Sequence, residues 1–369
     1  MIILAYFFVL LANTIAVFLN KKRNWLIILT ILFIAVVWAG NTVGPDINNY
    51  HTQYKYSYLR IQSNSIEIVY NYILDFFSSN GISFTTFRLV ISILGLALVT
   101  YSTSRFKVNI HGVFCAYLVC QFFMDGIQIR NFMAFSFLFL GLSILLRETE
   151  KWRLKYIICI FIATLIHESF LVYLVFLLIP KEVNDRSRII KMHAIVAMII
   201  SSVFFLFRGN LSFLVYLVSL VDSDRAQGYT QVTTNLGPFI CVALQIAAIF
   251  LSLYVERKLK IAGRISDVSL DTDYFFSSHI VHRIFWVNIL GLYLLPFTLL
   301  QLTFYRLIRN VMLINIISLS YLGFYYKKSN VYILWGIAYL LLWQITEFSM
   351  LGEFDVIVKP FFDTLTFFA

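Results

Sequence analysis

Two short stretches of this chain carry ionisable side chains where the surrounding sequence is apolar. In residues 125–170, DGIQIRNFMAFSFLFLGLSILLRETEKWRLKYIICIFIATLIHESF, Arg130 opens one long apolar segment, a basic loop follows, and His167–Glu168 interrupts the next segment. Farther along, TFYRLIRNV sets Arg306 and Arg309 at i and i+3, which a helix presents on one face. An ionisable group at membrane depth costs roughly 2.5–3.5 kcal/mol on insertion scales and tends to mark a pathway or a site. Arginines at helix mouths suit a pyrophosphate, because guanidinium forks match phosphate oxygens and helix N-termini add positive potential. The same arginines could instead pair with Asp125, Asp46 or backbone carbonyls, or anchor helix ends at lipid headgroups. An imidazole within about 3 Å of a substrate hydroxyl could take its proton as a general base. A packed core histidine is the plainer account of His167.

The elements that must position these groups follow from composition. Of 369 residues, 60% are hydrophobic and only 13% are charged, more apolar surface than a water-soluble domain can cover. The chain is expected to be an all-α polytopic integral membrane protein. Apolar segments are predicted as helices at 2–19, 25–40, 84–101, 112–124, 130–146, 155–179, 189–207, 236–254, 284–302, 307–325 and 331–346. Met1–Leu19 has neither a basic leader nor a small-residue cleavage site, so it is expected to stay as a first helix.

Taken as eleven simple spans, these segments misplace charge. The basic residues of 181–191, of the predicted loop 256–283, and Lys327–Lys328 would fall on the opposite side from Lys21–Arg23 and the 147–155 loop, against the positive-inside bias. Parity returns if 155–179 enters and comes back, turning at His167–Glu168. Each limb of about twelve residues spans ~18 Å, too short to cross ~30 Å of hydrocarbon. The expectation is therefore about ten full transmembrane helices plus a re-entrant helical pair, forming a single transmembrane domain over 1–369. Outer loops are expected at 41–83 and 208–235, with an outer, acidic C-terminal tail at 347–369.

The first outer loop holds the turn Gly44–Pro45–Asp46 and a cluster of tyrosines, Tyr50, Tyr54, Tyr56 and Tyr58, which suit either an aromatic belt or sugar stacking. Residues 65–78 place Ile66, Val69, Ile73, Phe76 and Phe77 at helical spacing, as in an interfacial helix. Arg88 joins Arg130, Arg306 and Arg309 among the outward cations. The net charge of +10 lies in loops between spans and reflects orientation, so no nucleic-acid partner is expected. The four cysteines form no CxxC pair, and His279 and His282 have only Asp271 and Asp273 nearby and fall on the predicted cytoplasmic side; no metal or other cofactor is expected. With no GxGxxG element, no P-loop and no DxD motif on a soluble domain, transfer from a cytosolic sugar nucleotide is disfavoured.

IRNFMA at Ile129–Ala134 and ATLIHES at Ala163–Ser169 resemble two recurring segments of the EpsG family of Wzy-type polysaccharide polymerases. GPDINNY at Gly44–Tyr50 and YRLIRN at Tyr305–Asn310 look like two further elements of that family. Asn131 and Glu168 depart from its usual residues, and the second departure leaves the role of Glu168 open. The resemblance implies a GT-C-like membrane glycosyltransferase in the bacterial plasma (inner) membrane. It would polymerise undecaprenyl-pyrophosphate-linked oligosaccharide repeat units on the periplasmic or exterior side, making O-antigen, capsule or exopolysaccharide. Its partners would be lipid-linked donor and acceptor, membrane lipids and a chain-length regulator. Arg130, Arg306 and Arg309, with Arg88 and Tyr50, would bind the donor, and His167, Glu168 or Asp46 would orient or deprotonate the acceptor. A lipid-linked oligosaccharide flippase and a ligase-like glycan transferase remain as alternatives.

Overall fold

The computed structural model describes residues 2–19, 21–44, 46–57, 66–180, 185–206, 237–265, 272–300, 302–325, 336, 338–339, 341–345 and 354–363. Among them every regular element is helical, the arrangement that lets apolar segments satisfy their own backbone hydrogen bonds in lipid. Among the described residues, five helices are long and apolar enough to cross a membrane: Phe84–Ser104, Ile129–Arg147, Arg186–Leu206, Gly237–Ala262 and Asp273–Leu299. Ile2–Phe18, Asn24–Gly40, Ile110–Cys120 and Glu168–Leu178 are shorter apolar helices. Leu4, Phe7, Phe8, Leu11, Trp25, Ile28, Ile195 and Ile199 all point outward. Large apolar side chains exposed in such numbers fit a chain surrounded by lipid.

The chain divides into two compact units, Met1–Leu171 with Lys327–Ala369, and Val172–Tyr326. In the first unit, in chain order, are α1 (Ile2–Phe18), α2 (Asn24–Gly40), α3 (Ile47–Lys55), α4 (Ile68–Ser79), α5 (Phe84–Ser104), α6 (Ile110–Cys120), α7 (Phe122–Ile127), α8 (Ile129–Arg147) and α9 (Trp152–Ile166). Helix α8 is its axis, with all but a few side chains buried. Neighbours come close because glycines let them: Gly95 of α5 lies against the Phe132 ring, and Gly141 of α8 against Tyr156 and Cys159 of α9. A polar staple joins three helices. Asn13 donates to Thr30 Oγ1 at 2.8 Å and its Oδ1 lies 2.8 Å from His111 Nδ1, while His111 Nε2 accepts from the Arg23 N–H at 3.1 Å. That last bond assigns the imidazole proton to Nδ1, so each member of the chain has a matched donor or acceptor.

The described part of the C-terminal tail returns to this unit. A π-helical turn, Phe354–Val358, leads into the short helix Lys359–Asp363, and Phe361 packs on Phe122 and Phe123 at 5.5 and 5.7 Å. The expected outer loop 208–235 lies outside the described residues.

The second unit contains α10 (Arg186–Leu206), α11 (Gly237–Ile265), α12 (Thr272–Leu290), α13 (Leu295–Leu300), α14 (Arg306–Arg309) and α15 (Leu313–Tyr325). Amides join them: Gln245 donates to the Asn288 carbonyl at 2.6 Å, and Asn288 Nδ2 to Asn315 Oδ1 at 2.7 Å. Here one sequence expectation is corrected. The basic stretch read as a loop at 256–283 is largely helical, because α11 runs on to Ile265 and α12 starts at Thr272. Helix α11 continues past its apolar end because Glu256 is buried among Arg186, Lys260 and His282.

The apolar run 155–179 breaks at His167. Helix α9 ends at Ile166, His167 is extended (φ −148°, ψ 111°), and a 3-10 helix, Glu168–Leu178, follows. A helical break thus falls at His167–Glu168, the pair at which the sequence reading placed a turn.

Candidate functional site

The site begins with a helix whose buried face is polar. From the sequence, Ile66, Val69, Ile73, Phe76 and Phe77 mark the apolar side of 65–78. In the structure Glu67, Tyr70, Asn71 and Leu74 are the buried positions, while Ile66, Ile68, Tyr72 and Phe76 are exposed. Spacings of i, i+3, i+4 and i+7 define one stripe of a helix. The buried stripe thus carries the carboxylate, phenol and amide, and the exposed side carries Ile66, Ile68 and Phe76.

Glu67 stands just before α4 with its side chain 3% exposed. Its Oε2 accepts from Arg130 Nη1 at 2.7 Å. Its Oε1 lies 3.1 Å from His167 Nδ1, an ion-pair distance outside hydrogen-bond alignment, and 3.4 Å from the Glu168 backbone N–H. One carboxylate therefore meets the start of α8 and the break after α9. The Arg130 guanidinium also lies 5.9 Å from the Tyr50 ring and 5.6 Å from the Tyr70 ring. These cation–π contacts hold it in place.

Arg130 is the second residue of α8, so its charge adds to the positive end of the helix dipole rather than opposing it. Glu67 offsets that repulsion. Removing either partner would leave a buried charge without compensation, a loss typically of about 3–5 kcal/mol. An arginine fixed at one corner and flanked by aromatic faces, next to an imidazole, has the parts needed to bind an anion and move a proton.

The other residues singled out in the sequence have these positions. Tyr50 is part of the cluster. Asp46 is half-buried at the N-terminal boundary of α3, where its carbonyl accepts from the Tyr50 N–H at 2.9 Å; one helical turn separates it from Tyr50. Glu168 contributes its backbone N–H to Glu67. Arg88 is buried and donates to backbone carbonyls, that of Asn41 through Nη1 and that of Gly126 through Nη2 at 2.8 Å. It thereby ties the end of α2 to the end of α7.

Arg306 and Arg309 belong to the second unit and form a single helical turn, as their i, i+3 spacing requires. Arg309 is fully buried, with Nη1 3.4 Å from the Tyr305 hydroxyl and its guanidinium 5.7 Å from that ring. Arg306 is half-buried. Tyr173 donates to the Leu307 carbonyl at 2.9 Å and accepts from Asn310 Nδ2 at 3.1 Å, fastening this turn to the 3-10 helix.

Among the described residues, no three His, Cys, Asp or Glu side chains gather as a metal site would need. His282 of the HxxH pair instead faces Glu256 at 3.2 Å. Sequence reasoning passed over Glu67 and Tyr70. The signal was present: in SIEIVYNYILDFF the polar stripe Glu67–Tyr70–Asn71 has the same helical period as the apolar one.

This is a membrane protein built from helices, with Glu67, Arg130 and His167 brought together at helix boundaries. A family model matches residues 24–355, and the chain belongs to the EpsG family, the family of Wzy-type polysaccharide polymerases. A search of curated proteins and a search of solved structures each found no match.

Proposed function

We propose that this chain polymerises undecaprenyl-pyrophosphate-linked oligosaccharide repeat units on the outer face of the bacterial plasma membrane. The observation that carries this reading is the buried Glu67–Arg130–His167 cluster flanked by Tyr50 and Tyr70, in a chain of the polymerase family. The donor is the growing glycan on its lipid diphosphate, and the acceptor is a hydroxyl of a second lipid-linked repeat. Arg130 holds the diphosphate as negative charge develops on it, where one preorganised donor contributes about 3–4 kcal/mol. Arg306 and Arg309 serve the same anion chemistry. His167 takes or orients the acceptor proton, with Asp46 and Glu168 as the remaining candidates for that role.

The finer architecture belongs to the same proposal: about ten full spans, a re-entrant pair turning at His167, a GT-C-like arrangement, and Met1 and Ala369 outside. Impermeant cysteine labelling tests the topology. Labelling at Arg188 or Lys260 positions from outside would rule out the re-entrant turn. Deleting the gene and running surface polysaccharide on a gel tests the activity. A single-repeat product supports a polymerase; loss of all surface sugar indicates a flippase, and full-length chains stranded on lipid indicate a ligase.

A further inference from the structure

We propose that Glu67 is a positioning residue of the transfer: it fixes the Arg130 guanidinium and holds the His167 imidazole with Nδ1 inward, so that Nε2 is the atom that receives the acceptor's proton. The proposal rests on the polymerase reading above and assigns a role within it. Its basis is a three-way juxtaposition around one buried carboxylate, with Oε2 2.7 Å from Arg130 Nη1, and Oε1 3.1 Å from His167 Nδ1 and 3.4 Å from the Glu168 N–H. A carboxylate facing one ring nitrogen favours the proton on that nitrogen and leaves the lone pair on the other. The alignment at Nδ1 is loose, and catalytic hydrogen bonds of this kind commonly tighten in the transition state.

The step balances as follows. The acceptor hydroxyl oxygen bonds to the donor's anomeric carbon while the bond from that carbon to the diphosphate oxygen breaks. The bonding pair leaves with the lipid diphosphate, whose charge Arg130 meets. The hydroxyl proton passes to His167 Nε2, forming an imidazolium that Glu67, ionised throughout, stabilises from the Nδ1 side. Water then takes the proton and restores the neutral ring. Glu67 touches neither sugar nor diphosphate and acts through its two neighbours.

The test uses membranes from a deletion strain carrying the full-length wild-type chain, Glu67→Gln or Glu67→Asp. The probe is lipid-linked single repeats extracted from the deletion strain, with turnover normalised to inserted protein. Glutamine keeps the shape of Glu67 but removes its charge, and its amide can donate to Nδ1, which would move the imidazole proton to Nε2. The expected result is a turnover at least ~10²-fold lower, the scale of a lost general base. The apparent KM for the repeats should stay level or fall, because Arg130 keeps its charge and loses its neutralising partner. Aspartate keeps the charge with a shorter reach and should fall between glutamine and wild type. Wild-type turnover per molecule in Glu67→Gln would overturn the proposal, as would failure of both variants to insert, which marks a purely structural carboxylate. If only the glutamine variant fails to insert, the aspartate variant decides: lowered turnover supports positioning, and unchanged turnover overturns it. If the wild-type chain itself does not elongate the repeats, the polymerase reading fails instead, and that outcome is separate from any result at Glu67.

Discussion

Each unit of this protein buries one glutamate against an arginine and a histidine, and the two clusters differ in how they are held. In the second unit Glu256 is gripped by both Nη atoms of Arg186, at 2.8 and 2.6 Å, and by Lys260 at 3.0 Å. His282 sits between Glu256 at 3.2 Å and the indole N–H of Trp286, which donates to Nε2 at 3.1 Å. Both ring nitrogens of His282 are thereby engaged, and the Arg186 guanidinium is stacked 4.0 Å above the Phe285 ring. That is the arrangement of a structural clamp. In the first unit Glu67 meets Arg130 through Nη1 and faces His167 at a looser angle, and the flanking groups are tyrosine rings. The same three residue types thus make a fastening in one place and a candidate reaction site in the other. The distinction lies in the donors and acceptors that surround them.

The largest expected effect separates the clusters by what is lost. Arg130→Lys keeps the charge but removes the planar fork. It should abolish most chain growth, by ~10² or more on the scale of one preorganised donor, with normal abundance in the membrane. Arg306→Lys should do the same if its turn serves the diphosphate. Long-chain polysaccharide retained in both variants would return these arginines to a structural or headgroup role. Glu256→Ala should act on stability instead. It strands Arg186, which is 26% exposed, so the loss is expected at the low end for a broken buried pair, about 3 kcal/mol. The measurement is thermal aggregation of the purified protein; an unchanged midpoint would mean that the clamp carries little. The smallest effect is expected at Lys260→Ala. Lys260 is 55% exposed, and solvent screening should hold the loss to about 0.5 kcal/mol, within the range for exposed pairs. A change as large as that of Glu256→Ala would show that the lysine, rather than Arg186, secures the clamp.

Much of the first cluster was legible in the sequence. Arg130 and His167–Glu168 stood out because an ionisable side chain inside apolar sequence needs a reason. The break at His167 followed from charge parity between loops. Glu67 was hidden because the apolar residues of its helix mark the more obvious stripe, whereas the buried positions are Glu67, Tyr70, Asn71 and Leu74. Tertiary folding brings the Glu67 carboxylate to His167 from a distant part of the chain, a pairing that sequence neighbours do not reveal. Arg88 illustrates the opposite case: its residue type suggested an anion site, and the structure spends it on the Asn41 and Gly126 carbonyls. The helical extension to Ile265 was hidden because charges end an apolar run in sequence, although mutually paired charges can continue a helix.

The central claim is that the first cluster performs chemistry that the second does not, and His167 tests it most directly. The measurement is polymer length normalised to membrane-inserted protein for His167→Ala. If His167 receives or orients the acceptor proton, chain growth should stop and lipid-linked single repeats should accumulate while the protein inserts normally. Normal chain length per inserted molecule would contradict the account and remove His167 from the site, leaving Asp46 and Glu168 to be tested in its place.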